Sequence, residues 1–335
     1  LKTAVNGTID SLQFNGYTYA NIITNGTFQK KSFAGELEID DPNLNFTNSV
    51  IIDLSKEEPS FNIVGDLVQS NLKALNFVKQ NIEITGLLDA NFTGTNIDNF
   101  KGVAKFLNAS IKDETNKISF DSLNLSSIQN DSIKILSVGS NELKATISGQ
   151  FSILELPASI QSFLHHYYPV YIAEPKVIPQ NQRFDIKINT NYIEPYLQIF
   201  TKGITGFNDA SLTGSIDTRN SDLKISANIP YGRFDKYGFN GIQLEGRGNL
   251  DTISLNGNIT TITINDSLNF PNTNISVVAK NDHSLVSIKT SADNTLNEAS
   301  LNADVITLQD GARIQFLPSS FVLNTKKWNL EKEGE

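Results

Sequence analysis

Apolar and polar residues alternate with period two along almost the whole 335-residue chain. Side chains in a strand point to opposite faces in turn, so this pattern demands strands that are apolar on one face and polar on the other. Phe33, Gly35, Leu37 and Ile39 alternate with Ala34, Glu36 and Glu38. Longer stripes run through Ile82, Ile84, Gly86, Leu88, Ala90 and Phe92, and through Leu143, Ala145, Ile147, Gly149, Phe151 and Ile153. The second half repeats the theme in Leu212, Gly214 and Ile216, in Leu223, Ile225, Ala227 and Ile229, and in Ile253, Leu255, Gly257 and Ile259. Half-apolar strands of this kind belong to antiparallel meanders, not to parallel sheets buried on both faces. Between the stripes lie Asn15-Gly16, Asp40-Asp41-Pro42-Asn43, Asn130-Asp131 and Asn220-Ser221-Asp222. These are turn residues, because Asn, Asp and Gly tolerate positive φ. The spacing predicts about twenty strands joined by hairpin-sized links.

Two segments change period. Leu156, Ile160, Phe163, Leu164 and Tyr167 fall at helical spacing, with Pro157 suited to the first turn and Pro169 to stop the helix. Ile193, Leu197 and Phe200 line a second helical face, with Pro195 early. Pro169, Pro175 and Pro179 mark an extended connector between them, and a third short helix or a loop is expected near 70–76. The chain therefore reads as a β segment over 1–154, a helical insertion with a Pro-rich connector over 155–200, and a second β segment over 201–335.

Composition removes several function classes. The net charge is -9 and the pI about 5.0, without the concentrated basic face that phosphate neutralisation requires, so a nucleic-acid partner is not expected. Cys is absent, which excludes disulfides, thiolate metal sites and cysteine nucleophiles. No apolar run approaches the ~18 residues of a membrane-spanning helix. With no Met either, the chain is expected to be a processed product or a piece of something longer, any membrane anchor lying outside it.

No catalytic constellation stands out, and no enzyme activity, metal or cofactor is expected. His165 and His166 are adjacent on a helix and point about 100° apart, poor geometry for shared ligation, so they read as exposed helix histidines. The Asp40–Asn43 run lacks the spacing and closing Glu of a calcium loop and reads as a turn. Gly246-Arg247-Gly248 has no helix after it, against a dinucleotide loop. Tyr167, Tyr168, Tyr171, Tyr192 and Tyr196 gather around the two helices, either as a cap over an apolar groove or as packing on a sheet edge. The stripes themselves leave sandwich, barrel and open trough as alternatives.

Several stretches carry a resemblance. FAGELEIDDPNLNF at 33–46, SFDSLNLSS at 119–127, SNELKATISGQF at 140–151, the helix ending in Tyr167-Tyr168-Pro169, and RIQFLPSSFVLNTKKWNL at 313–330 occur in this order. Together they resemble the TamB family, the AsmA-like translocation and assembly module proteins, in the Asn-rich form found in Bacteroidota. The resemblance covers essentially the whole chain and fits an interior section. It implies an all-β fold, an elongated antiparallel β-taco: a curved sheet around a hydrophobic groove, with two or three short inserted helices. It also implies a periplasmic protein tethered to the inner membrane by an N-terminal helix outside this sequence. Such a protein carries phospholipid between inner and outer membranes and supports outer-membrane protein assembly and secretion with a TamA-type outer-membrane barrel partner. The competing reading is a β-scaffold or chaperone for outer-membrane proteins that carries no lipid; a β-rich polysaccharide hydrolase is a third.

On the conduit reading, phospholipid acyl chains lie against Phe33, Leu37, Ile39, Ile84, Leu88, Phe92, Ile147, Phe151, Leu212, Ile216, Ile225 and Ile259. Each methylene that leaves water contributes ~0.8 kcal/mol. On the plainer reading the same residues are ordinary core.

Overall fold

A computed structural model describes residues 2–96, 98–201, 203–292 and 296–330. The described residues form 21 strands and two short helices, and neighbouring strands of the meanders pair antiparallel. They divide into two units, Leu1–Thr146 with Pro195–Lys202, and Ile147–Glu194 with Gly203–Glu335.

The first unit is a meander. β1 (Lys2–Phe14), β2 (Tyr17–Gln29), β3 (Ser32–Asp41), β4 (Leu44–Asp53) and β5 (Ser60–Ser70) each pair with the next. β6 (Glu83–Thr93), β7 (Lys101–Lys112), β8 (Lys117–Asn130) and β9 (Ile133–Gly139) continue it. The start of β10 (Leu143–Gln150) adds to β9. Turn chemistry sets the hairpins. Asn15 and Gly16 have φ of 51° and 73°, the paired positive values of a turn that matches strand twist.

Register makes the two faces unlike. One cross-strand row runs Thr24, Leu37, Asn48, Gly65, Leu88, Phe106, Leu123; the next runs Gly26, Gly35, Val50, Ile63, Ala90, Ala104, Leu125. On the opposite face, Asn25, Glu36, Ser49, Val64, Asp89, Lys105 and Asn124 line up. The recurrent Gly of the apolar stripes marks close approach. A methyl on Gly35 would stand 2.5 Å from the Cα of Gly26 and 3.0 Å from the ring of Phe33, which lies over both glycines.

Near 70–76, where a third short helix or a loop is expected, the chain leaves β5 and forms turns, and residues 71–82 contain no helix. They cross one row of hairpin turns. The Asn15 side chain donates to the carbonyls of Leu75 and Asn76 at 3.3 and 3.0 Å, and Asn71 N–H donates to Asn43 O. Leu75 is thereby buried against Tyr19 and Ile22. α2 (Glu194–Phe200) sends Ile199 into a cluster with Ile82 and Ile111.

The second unit is also a meander. β11 (Arg183–Thr190), β13 (Ser211–Asp217), β14 (Asp222–Phe234), β15 (Tyr237–Gly248), β16 (Ile253–Ile264) and β17 (Leu268–Lys280) pair in that order, with the short β12 (Ile204–Gly206) on β14. β18 (His283–Ala292), β19 (Leu296–Leu308), β20 (Gly311–Leu323) and β21 (Lys326–Leu330) complete it. Its rows are sharply sorted. Ile188, Leu212, Ala227, Leu244, Gly257, Ile275, Ile288 and Leu301 oppose one another across eight strands. The neighbouring row on the other face is Asn189, Ser211, Asn228, Gln243, Asn258, Asn274, Lys289 and Ser300.

α1 (Leu156–Tyr167) spans the range that the periodicity predicts, with Pro157 in its first turn. Its end and the residues after it run over successive hairpin turns. Tyr167 Oη donates to Asn249 O at 2.6 Å, Asp282 N–H donates to Tyr167 O at 2.8 Å, and Tyr171 Oη donates to Gly311 O at 3.0 Å. Phe163 and Tyr167 are buried beneath. No helix of the described residues is long and apolar enough to cross a membrane.

Candidate functional site

The apolar faces are only partly covered. Leu37, Ile39, Leu88, Leu212, Leu244 and Ile275 are half-buried, where core residues are ordinarily closed off. The chain exposes 20050 Å², against about 13,600 Å² for an ordinary folded monomer of this mass.

In the first unit the uncovered face deepens into a groove of about 350 Å³. Leu12 and Phe14 of β1, Tyr19 and Ile22 of β2 and Ile39 of β3 form one side. Leu44, Phe46, Leu67 and Leu88 continue its floor across β4, β5 and β6, and Leu72, Leu75 and Phe77 close one end. A kink at Asn21 (φ 52°) builds the first part: the β1–β2 pairing skips it, so Tyr19 and Ile22, three apart, share a face. Among the described residues, the only non-aromatic polar one in the lining is Ser70, whose Oγ donates to Ile84 O at 2.8 Å.

A polar network fixes the end of the groove. Tyr17 Oη donates to Asp41 at 2.6 Å, and the N–H groups of Ala20 and Asn43 donate to the same carboxylate at 2.9 and 2.8 Å. Burial opposes ionisation of Asp41, but these donors outweigh it and hold the carboxyl below the usual range; the Asp41 bond and burial raise Tyr17. The Asp40–Asn43 run is thus a turn whose carboxylate is already saturated by internal donors. One polar group on the apolar face differs. Asn48 is 5% exposed, and its Nδ2 has no hydrogen-bond partner among the described residues. An unpaired buried donor costs ~1–3 kcal/mol.

The twelve candidate residues fall on the apolar face of one unit or the other, to different depths. Ile39 and Leu88 line the groove, and Leu37 packs against the Leu75 cluster beside it. Phe33 covers Gly26 and Gly35, and Phe92 lies between Phe61, on which it stacks at 4.9 Å, and Phe100, to which it is tilted at 5.0 Å. Ile84 packs on the Ile82–Ile111–Ile199 cluster. In the second unit Phe151 meets Phe184 at 5.9 Å, and Ile216 opposes Phe184. Phe151, Ile216 and Ile259 are buried; Ile147, Leu212 and Ile225 are half-buried.

The tyrosines do not form one cluster. Tyr167, Tyr168 and Tyr171 anchor α1 and its connector to turns. Tyr192 is exposed, and Tyr196 packs on Phe120, where burial and nearby Glu142 raise its hydroxyl. His165 and His166 are half-buried, not exposed. Their Nδ1 atoms lie 2.6 and 2.8 Å from the carbonyls of Ile172 and Ser162, so each carries its proton there. Among the described residues no group of three His, Asp or Glu side chains is placed to hold a metal ion.

Sequence reasoning passed over Tyr19 and Ile22 because the kink at Asn21 breaks the alternation that it follows, and with them Leu12 and Phe14 of the facing strand. It passed over Leu72, Leu75 and Phe77 because they lie on no regular element. The available signal was the density of apolar residues in an otherwise loop-like stretch. A scan against protein-family models finds no match to this chain, and a search of curated protein sequences finds none either.

Proposed function

We propose that the apolar groove of the first unit, and the uncovered apolar face of the second, hold phospholipid acyl chains. In this reading the chain is a section of a TamB-like periplasmic protein with a taco-like trough, carrying phospholipid between inner and outer membranes and supporting outer-membrane protein assembly with a TamA-type barrel. The observation that carries it is the 350 Å³ groove walled by apolar and aromatic side chains and left open to a guest. Rows of near-equivalent apolar positions suit a chain that slides, since transfer needs many shallow sites of similar depth instead of one tight one.

The test is phospholipid co-purifying with the chain, identified by mass spectrometry, and its loss on substitution. Leu88→Glu, on the half-buried groove floor, is expected to abolish lipid retention while leaving circular dichroism intact. Ile216→Glu, at a buried position, is expected to unfold its unit instead. A chain purified from a lipid-containing host with no lipid bound, and unable to take up phospholipid afterwards, would end this reading.

A further inference from the structure

Asn48 lies inside the apolar face of β4. Its cross-strand partners are Leu37 and Gly65, and Phe46 and Val50 flank it on the same face of the strand. Phe46 and Leu67 of the groove floor are its near neighbours in register, within about 7 Å along a strand or across one pair, and Leu88 lies one strand further, opposite Gly65. A methyl on Gly65 would touch the Cβ of Asn48 at 2.5 Å and the ring of Phe46 at 2.7 Å. The Asn48 side chain and the Phe46 ring therefore lean together over Gly65. Nδ2 is a buried donor without a partner among the described residues, and a ligand in the groove reaches it only if the side chains between them turn aside.

Resting on the acyl-chain reading, we infer that Asn48 is a ligand-binding residue whose amide donates to the ester carbonyl of a bound acyl lipid. Two features select an ester. A free donor needs an acceptor, which a bare hydrocarbon lacks. A carboxylate would be the stronger acceptor, but no cationic side chain lines the groove, and a charge without a counter-ion is excluded from such a place. A neutral carbonyl satisfies both conditions.

The experiment compares a diacyl phosphatidylcholine with its dialkyl ether analogue of equal chain length, binding to delipidated full chain, for wild type and Asn48→Leu. Wild type is expected to prefer the diacyl lipid about fivefold, one neutral hydrogen bond. Asn48→Leu is expected to bind both lipids equally, and its lipid-free form to melt higher than wild type. Infrared spectra of wild type with ester-labelled lipid supply a readout that needs no variant: the ester carbonyl stretch is expected at lower frequency than in solvent-free lipid. Equal binding of both lipids by wild type, an unshifted carbonyl band, or a preference that survives Asn48→Leu would overturn the role of Asn48 and leave acyl-chain binding standing. Binding of neither lipid overturns both.

Discussion

In the second unit, α1 and the residues after it run over a row of hairpin turns and leave Tyr167 fully buried; in the first, residues 71–82 run over such a row and leave an open groove. The difference lies in how each cover is fastened. Tyr167, Tyr168 and Tyr171 bond turn or strand atoms, and small buried Ser159 and Ser162 let the helix sit close. Gly248 makes room below, since a methyl there would stand 2.6 Å from the Tyr167 hydroxyl. Residues 71–82 are pinned to Asn15 and Asn43 by their backbone, and place Leu75 at one end without spanning the apolar floor. Polar anchors repeated from the end of a helix into the residues after it close the ground beneath Tyr167; a loop anchored at one margin leaves the groove beside it open.

The largest expected effect breaks the closed cover. Tyr167→Ala should destabilise the second unit by ~3–5 kcal/mol, as a large buried ring is lost. Tyr167→Phe should cost only ~1 kcal/mol, the bond to Asn249. Chemical denaturation reads both, and equal losses would mean that the hydroxyl, not the packing, holds α1. Leu75→Ala in the open cover should cost less, ~2–3 kcal/mol, because its site borders a space that can relax. A loss as large as that of Tyr167→Ala would show the two covers to be equally tight.

Acid sharpens the contrast at the groove end. The Asp41 carboxyl is held low in the folded protein and titrates near ~4 when unfolded. Its stabilising contribution is therefore complete above about pH 4 and is lost as pH falls through the lowered folded value. Denaturation midpoints measured downward from about pH 6 should show that loss in wild type and a shallower one in Asp41→Asn. The smallest effect belongs to the exposed Lys112–Glu83 pair, 3.1 Å apart: Glu83→Gln should shift stability by less than ~0.5 kcal/mol, a change that added salt should erase.

Much of this was legible in the residues. Alternation announced the strands, Asn and Gly in the breaks announced the turns, and Leu156 to Tyr167 announced α1 to the residue. The groove was less legible. Ile39 and Leu88 came from stripes, but Tyr19 and Ile22 hid behind the kink at Asn21, and Leu75 behind an irregular segment. Nor does the Tyr-rich composition near the helices reveal that Tyr196 belongs with Phe120 while Tyr167 belongs with Asn249.

The sequence by itself determined which residues share a face, because the period of a strand is local and each side chain obeys it without reference to distant chain. Only the tertiary structure decided what lies over that face. Cover depends on where residues far apart in the chain come to rest, as Leu75 does on Tyr19 and α1 on Asn249, and no local period encodes that.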